Sequence, residues 1–222
     1  MQYAHHRATL TLAALLIASP IAAQAPSVAG EQTQSSGFSL SPYFGAVLPQ
    51  TNLLTLGAGA TSKDIKLSTA IVVGARLGIM FNTRIGIQAD VGYSPGSVDL
   101  AESKLTTNTD ITTLTGVGKL IIYIIPADKW VWMNVSGGAG AIQHKFKAGG
   151  ASEIAGLKDG TNVGGVVGAT IGVRIWSFIA LTGSVEDYLY NASFDRNGIK
   201  TSETKQQDIR VTGGIRFPFI GM

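Results

Sequence analysis

The residues best equipped for chemistry are few. Beyond the N-terminal segment the chain has one histidine, His144, in Gln143-His144-Lys145-Phe146. A hydrolase or acyltransferase needs such a base within reach of a nucleophile's proton. No His-x-Ser pattern surrounds His144, and an inward-facing place at the end of an alternating segment suits an ordinary interfacial side chain better. A lone histidine without clustered carboxylates does not complete a metal shell. The chain has no cysteine, which removes thiolate nucleophiles, disulfides and Cys-ligated metals. The glycine-rich stretches 137–140 and 164–172 share only composition with phosphate cradles, since neither precedes a helical pattern or a following Lys-Ser/Thr pair. No catalytic residue, metal site or cofactor is expected.

The informative residues are isolated charges. Arg76, Arg84, Lys119, Arg174, Arg210 and Arg216, with Asp90 and Glu186, stand in segments otherwise apolar or built of small residues. Inside a membrane protein such charges are costly unless they pair or meet water. Six cations against two acids allow either a salt-bridge plug or a narrow, anion-leaning pore. The elements that carry them decide between these.

Those elements alternate with period two. Ile71, Val73, Ala75, Leu77 and Ile79 oppose Gly74, Arg76 and Gly78; Ile85, Ile87, Ala89, Val91 and Tyr93 oppose Arg84, Gly86, Gln88, Asp90 and Ser94. Val131, Met133, Val135, Ala139 and Ala141 oppose Asn134, Ser136, Gly138 and Gly140; Ile209, Val211, Ile215 and Phe217 oppose Arg210, Thr212, Gly214 and Arg216. Successive side chains of a strand point to opposite faces, so each segment is a strand with one apolar face. Four less regular strands are expected near 37–48, 109–125, 162–175 and 178–194, the second of them apolar on both faces over 120–125. The face opposite the apolar stripe is Gly, Ser, Thr and a few charges, too small for a solvated surface yet suited to the inside of an eight-stranded barrel. The apolar face then meets lipid, and the sheet must close to leave no unpaired edge there. The fold class expected is all-β, an eight-stranded antiparallel transmembrane β-barrel. On these registers the eight charges point inward. A narrow interior favours the plug. Asp187 falls on the lipid-facing phase and is expected at the bilayer edge.

The connections agree. Phe81-Asn82-Thr83, Pro126-Ala127-Asp128-Lys129 and Trp176-Ser177 read as tight turns, alternating with long loops near 49–66, 96–108, 147–161 and 195–205. Short periplasmic turns and long outer loops are the outer-membrane pattern. Aromatics gather at strand ends: Tyr93 and Tyr188 near the loops, with Phe81, Tyr123, Trp130, Trp176, Phe178 and Phe217 near the turns. They are expected to form interfacial girdles.

Composition sets the outer limits. The 222 residues include 28 glycines and 14% charged residues, against about 25% in ordinary soluble domains. The mean hydropathy is +0.25. His5, His6 and Arg7 precede an apolar stretch over 8–23 and the small residues Ile21-Ala22-Ala23, the form of a cleaved signal peptide over 1–23. A polar leader over 24–36 follows, then the barrel over 37–219. Loss of the signal peptide removes one of 17 cations and none of the 14 acids. The remaining excess is too small, and too scattered, for nucleic-acid binding.

Residues 36–219 resemble the small outer-membrane β-barrel domains of the OmpA and OmpX type. The resemblance is carried by Gly137-Gly138-Ala139-Gly140, by Gly172-Val173-Arg174 before a turn, by Leu181-Thr182-Gly183-Ser184-Val185-Glu186-Asp187-Tyr188, and by Gly213-Gly214-Ile215-Arg216-Phe217-Pro218-Phe219. It implies a bacterial outer-membrane location, contact with outer-membrane lipid and lipopolysaccharide, delivery by the barrel-insertion machinery, and a monomer. Such barrels end on an aromatic residue, whereas here Ile220-Gly221-Met222 follows. With no peptidoglycan-binding domain after the barrel, wall anchoring is not implied. The expected role is structural, or one of surface interaction through the long loops; a small-solute pore comes second, and a lipid-modifying enzyme or a soluble lipocalin-type barrel lies further off.

Overall fold

The computed structural model describes residues 37–56, 63–100, 109–146, 159–193, 195–196, 199–200 and 204–220. The chain divides into Met1–Thr33 and Gln34–Met222, and only the second unit contributes described residues. The expected signal peptide and leader lie outside them, as does most of the loop expected at 147–161.

The described residues form twelve strands and no helix: β1 (Gly37–Pro49), β2 (Asn52–Leu56), β3 (Lys63–Leu67), β4 (Ala70–Met80), β5 (Ile85–Leu100), β6 (Thr109–Ile125), β7 (Val131–Phe146), β8 (Gly160–Trp176), β9 (Ile179–Ala192), β10 (Asp195–Arg196), β11 (Ile199–Lys200) and β12 (Thr204–Ile220). Eight of them, β1, β4, β5, β6, β7, β8, β9 and β12, form a closed antiparallel ring. It runs β5-β4-β1-β12-β9-β8-β7-β6 and returns through a β5–β6 pairing that extends from Ile85↔Ile122 to Val98↔Thr109. Closure satisfies the backbone of every barrel strand from both sides, as a lipid-exposed sheet requires.

Alternation sorts the side chains. Val163, Phe44 and Ile71 point outward at 77%, 69% and 67% exposure, while Arg76, Lys119 and Arg210 point inward at 3–4%. That is the reverse of a soluble protein. The both-sided apolar run of β6 has a specific use: Leu120, Ile122 and Ile124 face outward, and Ile121 and Tyr123 pack inside against Met80 and Trp132.

Three loops differ from expectation. The region 49–66 contains a β2–β3 hairpin, and β5 runs to Leu100, into the loop expected at 96–108. The two extensions meet, with Ile65, Lys66 and Leu67 paired to Leu100, Asp99 and Val98. A strand that leaves the membrane band no longer needs an apolar face, so these ladders lack the alternation that marks the barrel itself. The last expected loop, 195–205, holds the β10–β11 pair and the start of β12.

Glycine makes the narrow interior possible. A Cβ on Gly138 would run into the backbone of Gly118 and Lys119 across the β6–β7 ladder, whereas one on Gly118 would meet open space. Gly138→Ala is therefore expected to lower unfolding stability by about 1–3 kcal/mol, and Gly118→Ala by less than about 0.5 kcal/mol. Urea unfolding of the two variants in lipid vesicles, followed by tryptophan fluorescence, measures the contrast.

Candidate functional site

The lumen is occupied at mid-height by a compact group of charges. Lys119 of β6 reaches two carboxylates, with Nζ 2.8 Å from Asp90 Oδ2 of β5 and 2.6 Å from Glu186 Oε1 of β9. Arg76 of β4 donates from Nε to Asp90 Oδ2 at 2.9 Å, and its Nη2 lies 3.4 Å from Glu186 Oε2. The remaining Arg76 donors go to Ser184 Oγ at 2.9 Å and Thr212 Oγ1 at 3.0 Å. Arg210 of β12 donates to Tyr188 Oη at 3.0 Å and Thr115 Oγ1 at 3.0 Å, with Asp90 Oδ1 4.0 Å from its Nη1.

Two tyrosines complete the layer. Tyr43 Oη donates to Asp90 Oδ1 at 2.7 Å, and Tyr188 Oη donates to Glu186 Oε2 at 3.1 Å. Each ring also carries a guanidinium on its face: Arg76 over Tyr43 and Arg210 over Tyr188, both 4.3 Å from Cζ to ring centre. The backbone makes room for these side chains. Cβ atoms on Gly74 and Gly92 would collide with the Tyr43 phenol, and one on Gly168 with Glu186. The Asp90 and Lys119 side chains are wholly shielded from solvent. Charges this deep are tolerated only when paired and hydrogen-bonded, and here each carboxylate has at least two partners.

Towards the loops the polar chain continues. Thr113 Oγ1 lies 3.0 Å from His144 Nδ1, His144 Nε2 lies 3.2 Å from Tyr190 Oη, and Tyr190 Oη donates to Asp208 Oδ2 at 2.8 Å. A cavity of about 30 Å³ sits between this chain and the central layer, lined by Tyr188, Asp208 and Arg210 among others. It has room for roughly one or two waters. Among the described residues no group of three or more His, Cys, Asp or Glu is placed to hold a metal.

Towards the turns lies a larger cavity of about 210 Å³, open at the mouth and lined by Asn82, Thr83, Asp128, Arg174, Ser177 and Arg216 among others. Arg216 also borders a smaller space above it, beside Arg76.

Of the eight charges expected in the lumen, the structure brings Arg76, Asp90, Lys119, Glu186 and Arg210 into one network. Arg216 faces inward below it, on Tyr123 and Trp132. Two do not join. Arg84 is exposed in the turn before β5: Asn82 Oδ1 accepts from the backbone N–H of Arg84 and Ile85 at 2.7 and 2.8 Å, and this Asx turn ends the alternation one residue early. Arg174 lies at the β8 end, donating to the carbonyls of Ala127 and Asp128 at 2.8 and 3.2 Å, where the β8–β9 register shifts between Arg174 and Trp176.

Two aromatics expected in the girdle are lumen residues instead. Tyr188 and Tyr123 are each 2% exposed, because they share the inward phase of Glu186 and of Lys119; phase along the strand outweighs nearness to its end. Phe81, Tyr93, Trp130, Trp176 and Phe178 are exposed on the outside, with Trp176 and Phe178 stacked 6.4 Å apart, and Phe217 is half-buried. Asp187 lies on the outer phase, half-buried, accepting from Gln207 Nε2 at 2.8 Å. Sequence reasoning missed Tyr43, Tyr190 and Asp208. Counting by twos from Glu186 and Arg210 reaches the last two, whereas the irregular β1 gave no phase for Tyr43.

The sequence pattern of the outer membrane protein beta-barrel domain matches residues 10–217. The chain belongs to this outer-membrane β-barrel family. Its place is therefore the bacterial outer membrane, where short turns face the periplasm. Solved structures share the fold. OprG from Pseudomonas aeruginosa superposes with a TM-score of 0.57 at 16% identity, over 85% of this chain and 98% of that one. AlkL in lipid bilayers gives 0.58 at 13% identity, over 89% and 97%. Outer membrane protein W from E. coli gives 0.51 at 16% identity, over 84% and 100%. A search of curated proteins finds no match.

Removing one acid from the central layer leaves its cations uncompensated. Glu186→Ala is expected to cost about 3–5 kcal/mol. The double variant Lys119→Met, Glu186→Gln should lose clearly less than the sum of its single changes. Equilibrium unfolding in vesicles reads both, and an unchanged midpoint for Glu186→Ala would remove that residue from the network.

Proposed function

We propose that this chain is a non-conducting, non-catalytic outer-membrane barrel that acts in the envelope, by stabilising it or by presenting its long outer loops to other molecules. One observation carries the reading. The Arg76–Asp90–Lys119–Glu186–Arg210 layer, with Tyr43 and Tyr188, crosses the lumen with side chains no more than a few per cent exposed. Eight strands leave an interior that side chains fill, and here they fill it with mutually paired charges. A base that could serve catalysis, His144, is engaged with Thr113 and Tyr190. The partners that suit this reading are outer-membrane lipid and lipopolysaccharide around a monomer, and the insertion machinery before it. No nucleic acid is among them.

A narrow pore is the second reading, favoured by the free space on both sides of the layer. Single-channel recording in planar bilayers, on protein whose folding is verified by a boiling-dependent gel shift, separates the two. The sealed barrel gives no openings. Stable anion-selective openings that change with Glu186→Gln would replace it with the pore. The reading also includes export by a cleaved signal peptide, so the intact mass of protein purified from outer membranes should match a chain beginning at Gln24. A mass that retains residues 1–23 would overturn that step.

A further inference from the structure

Arg216 is a lumen cation without an acid. It is 8% exposed, and none of the ion pairs among the described residues includes it. Its Nη1 donates to Tyr123 Oη at 2.6 Å, and its Cζ lies 5.0 Å from the Trp132 ring centre. Its Nε is buried and has no partner. Arg216 lines the turn-side cavity of about 210 Å³ and the smaller space above it, and a cation so placed favours an anion beside it.

The rest of the lining has the same character. Arg174 borders the cavity, its guanidinium held at the mouth by the carbonyls of Ala127 and Asp128. Asn82, Thr83 and Ser177 add neutral polar groups. The single acid in the lining, Asp128, lies 3.8 Å from Lys129. Two guanidiniums with planar, forked donors, opposed by one carboxylate that already has a cation beside it, suit an oxyanion. At roughly 15–30 Å³ per water-sized group, the cavity of about 210 Å³ has room for acetate or phosphate together with water.

We propose that the turn-side mouth is a binding site for a small oxyanion, a carboxylate or phosphate, with the Arg216 guanidinium as its deep cation and Arg174 as its outer one. The paired Arg76–Asp90–Lys119–Glu186 layer closes the lumen on the loop side, so the anion enters and leaves through the turn side. The inference rests on the sealed lumen only in treating the site as a dead end.

The test is nitrogen-15 NMR of the arginine Nε–H signals of the refolded full chain in micelles. Sodium phosphate and sodium acetate are titrated separately, against sodium chloride at matched ionic strength. The Arg216 and Arg174 signals should move saturably with phosphate, acetate or both, and not with chloride; which of the two saturates tells phosphate from carboxylate. Arg174→Gln, which leaves the Tyr123–Trp132 pair untouched, should weaken binding about tenfold or more. Arg216→Lys should weaken it similarly by losing the fork while keeping the charge. If Arg216→Lys does not fold, Arg174→Gln carries the test. Shifts that follow chloride, or saturable shifts unchanged by Arg174→Gln, would overturn the site. Saturable binding together with silence in bilayers supports both the site and the sealed lumen. Saturable binding together with anion conduction keeps the site and overturns the seal.

Discussion

The pairing of β5 with β6, from Ile85 opposite Ile122 to Val98 opposite Thr109, joins the two ends of the sheet, and the remaining structure depends on that closure. A ring of eight strands has no edge to lose to lipid. It also encloses a volume that a handful of side chains fill. Every large residue turned inward must therefore be matched by a small one nearby. Tyr43 lies across Gly74 and Gly92, Glu186 against Gly168, and Trp132 against Gly172, where a Cβ would strike the indole ring. Glycines such as Gly74, Gly92, Gly168 and Gly172 are in this sense part of the plug. They cost strand propensity and return the space in which the charged layer assembles.

The lumen is graded along its axis. Nearest the turns, Arg216 lies on an aromatic and aliphatic floor made by Tyr123, Trp132, Met80 and Ile121. The ionic layer stands above it. Nearest the loops, neutral and acidic groups run from Thr113 through His144 and Tyr190 to Asp208. Identities of 13–16% with OprG, AlkL and outer membrane protein W accompany the same fold, so the barrel asks for alternation and closure far more than for particular lumen residues. The gradation is then a property to be read from this chain's own side chains.

Much of this was legible without coordinates. Wherever alternation was clean, as in β4, β5 and β12, phase alone put Arg76, Asp90 and Arg210 inside. It failed where something competes with period two. An Asx turn claims Arg84, and a register shift at the end of β8 leaves Arg174 at the mouth. Nearness to strand ends points Tyr123 and Tyr188 to the girdle, whereas the phase of Lys119 and Glu186 places them inside. What no pattern carries is pairing across the barrel. That Lys119 meets both Asp90 and Glu186 follows from three strands converging on one level, and a single sequence contains no such levels.

The ionic layer is better understood as a device for register than as a source of stability. A buried ion network of this kind often does no better than apolar residues of equal volume, once desolvation is counted. Alternation already disfavours a slip of one residue between strands, since it would turn every apolar side chain inward and every polar one toward lipid. A slip of two residues is different, because it keeps all faces intact. It would, however, carry Lys119 by roughly 6.6 Å along β5, out of reach of Asp90, to which it is now bonded at 2.8 Å. It would also separate Glu186 from Gly168 on β8 and Tyr43 from Gly74 on β4, the glycines that give them room. Apolar side chains would tolerate that shift with modest repacking, whereas two carboxylates stripped of their cations would not. The charges thus exclude the one family of misregistered barrels that hydrophobic patterning leaves open.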